Sequence, residues 1–161
     1  MRPLAFLAAF LLLVSAASAK PPHVNGLAWI GGLALHFDAN RWDVNGAETR
    51  YDVYCKTSDC LHTSIAITIA EKPDACTPDA LRFDADTVRA PLNVDTYSHA
   101  GLTFLIAEGD LGCRNLAGGP VHACTSFGGR TYLFNAPGQH CHTGWHASER
   151  VNEILQGLSP R

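Results

Sequence analysis

From Leu33 onward, apolar and polar positions alternate at a two-residue period in short segments separated by turn-forming residues, the pattern of strands with one buried face. Leu33-Ala34-Leu35-His36-Phe37 alternates large apolar side chains with smaller or polar ones. After the Asp38-Ala39-Asn40 break, Trp42-Asp43-Val44 resumes the pattern up to Asn45-Gly46, a dipeptide suited to a tight turn. Arg50 to Cys55 places Tyr51, Val53 and Cys55 on one face with Asp52 and Tyr54 on the other, and Thr63 to Ala70 lines up Ile65, Ile67 and Ile69. Leu102 to Ala107 is an apolar run of strand length. Val121 to Ser126 and Arg130 to Phe134 flank Gly128-Gly129, which predicts a hairpin. Ala85 to His99 is interrupted by Pro91 and predicts no element.

The period changes at two places. Thr77-Pro78-Asp79 has the features of a helix start, with an N-cap threonine, proline in the first turn and an acid beside it, so a short helix is expected over Pro78 to Phe83. Val151, Ile154, Leu155 and Leu158 recur at i, i+3, i+4 and i+7, which predicts an amphipathic helix starting near Trp145 and ending by Gly157 or Pro160. Strands in a run, with helices in the middle and at the end, make an α+β domain. The expected architecture is a single, mainly antiparallel sheet with a C-terminal amphipathic helix and one short middle helix, stapled by disulfides. Lys20 to Gly32 holds two prolines and three glycines without a sustained period and is expected to be a flexible lead-in, so that the domain occupies 33–161.

The first nineteen residues read as a signal peptide. Arg2 supplies a positive start, Leu4 to Val14 is an unbroken apolar run, and Ala17-Ser18-Ala19 offers a small-residue cleavage site before Lys20. The mature chain is then exported, either periplasmic or secreted. No later run approaches the roughly 18 apolar residues of a membrane helix, so no membrane span is expected after cleavage. Loss of Arg2 with the leader leaves eleven basic residues against fifteen acidic ones, a formal charge of −4. Lys56, Lys72, Arg82, Arg89, Arg114 and Arg130 are scattered, which disfavours nucleic acid as a partner. With nearly half its residues apolar, the chain has the means to bury a core rather than remain disordered.

Export changes how the six cysteines are read, because outside the reducing cytosol an even set is expected to form disulfides. Cys55 and Cys60 flank a polar Lys-Thr-Ser-Asp turn between two strands, where a local bridge fits. Cys113 and Cys124 lie symmetrically about Gly118-Gly119, which pairs them if those glycines turn a hairpin, although Pro120 works against the ladder there. Elimination then joins Cys76 to Cys141, a long-loop bridge contributing on the order of 4 kcal/mol on the entropic account. No pair has the two-residue spacing of a thioredoxin-like redox site. Cys141 beside His140 or His142 is a weak nucleophile pair, since adjacent side chains diverge in a regular element.

The densest chemical cluster is His140-Cys141-His142-Thr143-Gly144-Trp145-His146. Extended, it puts His140 and His142 on one face; helical, it puts His142 and His146 on one face. Either arrangement offers two imidazoles to Zn²⁺ or Cu²⁺, with His122 or His36 as candidate further ligands. The glutamate of a zinc protease helix is missing, because Thr143 follows His142. The sequence has no Gly-x-Ser-x-Gly elbow, P-loop, dinucleotide fingerprint or calcium loop. Asp84 with Asp86, and Glu108 with Asp110, are acids too close in sequence to be the usual glycosidase pair. The expectation is therefore a non-enzymatic binding or accessory protein of the cell envelope, with no cofactor, whose partner is an envelope protein or a glycan. A Zn or Cu carrier using the histidine cluster is the first alternative, and a small secreted hydrolase the second.

Part of the element order is similar to the small α/β sandwiches of the PsbP-like superfamily: an early strand carrying Trp42-Asp43-Val44, a late Tyr132-Leu133-Phe134 strand, and a closing helix over Val151 to Leu158. The resemblance implies an accessory or assembly role rather than catalysis, and it carries no active site with it.

Overall fold

The structure, a computed structural model, describes residues 25–60, 63–83, 93–109, 119–138 and 147–161. The strands are β1 (Asn25–Ile30), β2 (Leu33–Asp38), β3 (Trp42–Ala47), β4 (Arg50–Cys55), β5 (Ser64–Ala70), β6 (Val94–His99), β7 (Leu102–Glu108), β8 (Val121–Phe127), β9 (Arg130–Ala136) and β10 (Leu158–Pro160). Helix α1 spans Ala147–Gln156, and short 3-10 turns lie at Ser58–Cys60 and Pro78–Leu81. Among the described residues every strand pairing is antiparallel, in two sheets ordered β1-β2-β10 and β3-β4-β5-β9-β8-β7-β6.

One face of the seven-stranded sheet carries the main core, because period-two alternation on each strand is kept in phase by the register. Val53 pairs with Ile65, Ile67 with Phe134, Phe134 with Ala123, and Thr125 with both Tyr132 and Phe104. This layer packs with Ile30, Leu33 and Leu35 of the small sheet and with Val151, Ile154 and Leu155 of α1. The β1–β2 turn is fixed on the large sheet by the Gly32 N–H, which donates to the Tyr132 hydroxyl at 2.9 Å. Helix α1 ends at Gly157, where a Cβ would lie 2.1 Å from the carbonyl oxygen of His36. Only glycine lets the chain pass so close to β2, and the Gly157 carbonyl accepts from the His36 N–H at 2.9 Å as β10 begins.

The opposite, or back, face is half covered. The segment from Lys72 to Phe83 crosses it as a strap, tied where Cys76 is bonded to Cys124 of β8, with Cα atoms 5.4 Å apart. The Thr131 hydroxyl donates to the Lys72 carbonyl and the Ser126 hydroxyl to that of Pro73. Leu81, 1% exposed, is buried against Ala107 and Cys124. Thr77 caps the 3-10 turn, accepting from the Ala80 N–H at 3.3 Å.

Several expectations are corrected. The sheet is not single: β1 and β10 join β2 in a second sheet. Order does not wait until Leu33, since β1 occupies Asn25–Ile30 inside the stretch expected to be a lead-in. Its large side chains, Leu27 and Trp29, face outward and so give no buried alternation to read. Asn45-Gly46 is not a turn but part of β3, paired with Asp52 and Tyr51, and the chain reverses at Glu48-Thr49. Gly46 serves close approach, because a Cβ there would meet the Arg50 carbonyl oxygen at 2.3 Å. Leu158 belongs to β10 rather than to the helix, and the unassigned stretch before His99 ends in β6. Among the described residues no helix is long and apolar enough to cross a membrane. The leader, residues 20–24 and Trp145 lie outside the described residues.

Candidate functional site

The strap's end makes a recess on the back face. Thr68 of β5, Asn135 and Leu133 of β9 and His122 of β8 form its floor and sides, and Ala80 and Leu81 form its rim, enclosing about 210 Å³. The register places these residues together: His122 is directly opposite Asn135, which is opposite Ala66, while Leu133 is opposite Thr68. The row continues to Asp52 of β4, which is opposite Ala66.

His122 is held from three sides. Its Nδ1 faces the Leu81 carbonyl oxygen at 3.3 Å. That oxygen can only accept, so Nδ1 carries a proton. The Phe83 ring lies over the imidazole with centroids 4.2 Å apart. Burial lowers the imidazole pKa below its ordinary value, against hydrogen bonds to the backbone of Leu81 and Arg82 and to the Asn135 side chain, which pull it up. The histidine is thus poised neutral, with an amide and a hydroxyl beside it. Such a set donates and accepts hydrogen bonds to a neutral polar group. Its partners among the described residues are backbone groups and an amide rather than the carboxylate that orients a catalytic base.

A larger groove of about 440 Å³ lies between the small sheet and α1, lined by Asn25, His36, Phe37, Asp38, Trp42 and Glu153. Its acidic groups are already engaged. Glu153 accepts from the Trp42 indole N–H at 2.8 Å and pairs with Arg41 at 3.1 Å and Arg150 at 3.6 Å, while Asp38 accepts from the Asn40 N–H at 3.0 Å. Arg41 and Arg150 also reach Asp59. These contacts fasten α1 to β3 and to the turn at Ser58–Cys60, so the groove's polar groups hold the helix in place.

The residues singled out from sequence are distributed as follows. Cys55 and Cys60 are bonded to each other and buried at the end of β4. Cys124 is bonded to Cys76, so the expected pairs Cys113–Cys124 and Cys76–Cys141 do not form. The reason is the strap, which lies against β8 and brings Cys76 to the back face. Cys113 and Cys141 lie outside the described residues, as do His140, His142 and His146. His36 is exposed on β2, away from His122, and lines the groove. Among the described residues, Cys55, Asp59 and Cys60 form a group of three donor types that metals use, but two are disulfide sulfurs and the third is paired with Arg41. Asp84, Asp86 and Asp110 lie outside the described residues. Gly128-Gly129 turns the β8–β9 hairpin with φ of 58° and 76°, the left-handed conformation that favours glycine.

Sequence reasoning missed Asn135, Thr68, Leu81 and Phe83. The available signal was alternation: Asn135 follows buried Phe134, and His122 lies between buried Val121 and Ala123, which assigns both to the back face. Their juxtaposition depends on strand register and on the strap, neither of which a local pattern specifies.

No protein-family model matches the chain, and no curated protein matches it. Solved structures do. The solution structure of the cyanobacterial PsbP (CyanoP) from Synechocystis sp. PCC 6803 superposes with a TM-score of 0.53 at 13% identity, covering 92% of this chain and 99% of that one. A crystal structure from Bacteroides thetaiotaomicron VPI-5482 aligns with a TM-score of 0.38 at 12% identity, covering 81% of this chain and 45% of that one. The chain has a PsbP-like fold, fastened by the Cys55–Cys60 and Cys76–Cys124 disulfides.

Proposed function

We propose that the protein is a small exported accessory protein that binds an envelope component, a protein or a glycan, on the back face of its large sheet beside the strap, without chemical turnover. The observation that carries this reading is the His122–Asn135–Thr68 recess, a neutral set of donors and acceptors held in place by a disulfide-tied segment. Disulfides belong to oxidising compartments, in agreement with the leader. The PsbP-like fold adds no active site of its own, since a fold does not fix a function.

Site-specific photocrosslinking tests it. A benzoylphenylalanine at position 68, expressed in the native host, is expected to give a saturable adduct that Asn135→Arg abolishes, while the same group at position 48, in the exposed β3–β4 turn, gives none. Equal adducts at both positions, or none at either, would contradict the proposal. So would turnover of a cell-wall or ester substrate that His122→Ala abolishes.

A further inference from the structure

Among the described residues the sheets have four edge strands, and three carry features that discourage pairing with another chain. The short β10 has three residues and ends in Pro160. Strand β3 contains Asp43 and the close-packed Gly46, and β6 contains Asp95 and His99. Charges, prolines, irregularities and short length are how natural edges avoid adding strands. The fourth edge, β1, is six residues long and has neither charge nor proline. It also presents Leu27 and Trp29, 51% and 50% exposed, on one face. Among the described residues nothing pairs with its outer edge.

The backbone on that edge is suitably aimed. Strands β1 and β2 are joined by the two-residue turn Gly31-Gly32, so Ile30↔Leu33 is the closing hydrogen-bonded pair. Hydrogen-bonded pairs alternate along the ladder, so Gly26, Ala28 and Ile30 direct their N–H and C=O groups to β2 while Asn25, Leu27 and Trp29 direct theirs outward.

We infer that β1 pairs antiparallel with β1 of a second copy about a two-fold axis at Ala28, joining the two small sheets into one. In this register Leu27 of each copy is opposite Trp29 of the other, so the outward N–H and C=O groups of these two residues are paired in both copies. The four large side chains meet on one face as cross-strand apolar pairs. The occupant is a second copy because the strand is self-complementary. A two-fold contact sets each charge near its own image, and β1 has none to repel. The Arg161 guanidinium, 4.9 Å from the Trp29 ring centroid, borders the cluster.

Sedimentation velocity of the chain from Lys20 to Arg161 over a concentration series tests the pairing. The expected result is a concentration-dependent doubling of mass that is lost in Leu27→Lys and in Trp29→Lys, each with an unchanged circular dichroism spectrum. A second readout is Ala28→Cys, in which residue 28 faces its own image, so mild oxidation should give covalent dimers. A wild-type chain that stays monomeric throughout overturns the inference, as does a dimer whose mass persists in both lysine variants. Failure of either lysine variant to fold leaves the cysteine crosslink to decide, with no covalent dimer counting against the pairing.

Discussion

Ile67 lies in the middle of the large sheet, fully buried between Tyr51 and Phe134 on the neighbouring strands, whereas Thr68, one residue on, is exposed on the back face. Removing buried methylenes costs transfer free energy and leaves a cavity, so Ile67→Ala is expected to lower stability by roughly 2–5 kcal/mol. Thr68→Ala should stay within about 0.5 kcal/mol; urea denaturation compares the two. His122 gives a pH signature. Its folded pKa is lowered by burial, so below about 6.5 the unfolded chain takes up a proton that the folded chain resists. The stability this provides is complete above that pH, is lost as pH falls toward the folded pKa, and changes no further below it. A pH series of unfolding midpoints should therefore show a decline on acidification that His122→Gln removes; an identical decline in the variant would assign it elsewhere. Sequence alternation identified which of Ile67 and Thr68 is inside. It could not show that His122 meets the Leu81 carbonyl, because that contact joins residues 41 apart through the path of the strap.

At the scale of elements, the two disulfides differ in what they close. The Cys55–Cys60 bridge spans five residues and Cys76–Cys124 spans 48, so on the entropic account they contribute about 2 and about 4 kcal/mol. Replacing Cys76 and Cys124 together by Ala is therefore expected to cost more than replacing Cys55 and Cys60 by Ala. It should also raise hydrogen exchange selectively in the strap and β8. The short bridge has another role, because it closes the turn that presents Asp59 to Arg41 and Arg150. The Asp59 carboxyl is held below its usual pKa by the Thr57 hydroxyl and by the two arginines, with burial opposing. Its contribution is thus present above the ordinary carboxylate pKa and is lost as pH falls through the lowered one. Asp59→Asn should increase exchange in α1 at neutral pH and leave the acid limit unchanged. Strands β4, β5, β7, β8 and β9 were legible because each has a buried face of its own. Strands β1 and β10 were not: β1 points its large residues outward, and β10 is three residues long and exists only because Gly157 passes over β2.

For the whole molecule, among the described residues, α1 and the small sheet pack on one face of the seven-stranded sheet, and the other face carries the strap and its recess. The fold class could be reached from sequence because strand periodicity and the terminal stripe are local properties. The disulfide partners could not, because they depend on which face the strap crosses. The proposed role requires that the chain mature in an oxidising compartment, where Cys76 closes to Cys124. Intact-mass and peptide mapping of the protein isolated from its native host, without reduction, tests this most directly. The account predicts a chain beginning at Lys20, with Cys55 linked to Cys60 and Cys76 linked to Cys124. Free thiols at Cys76 and Cys124, linkage of Cys124 to Cys113, or an uncleaved leader on the functional protein would contradict it.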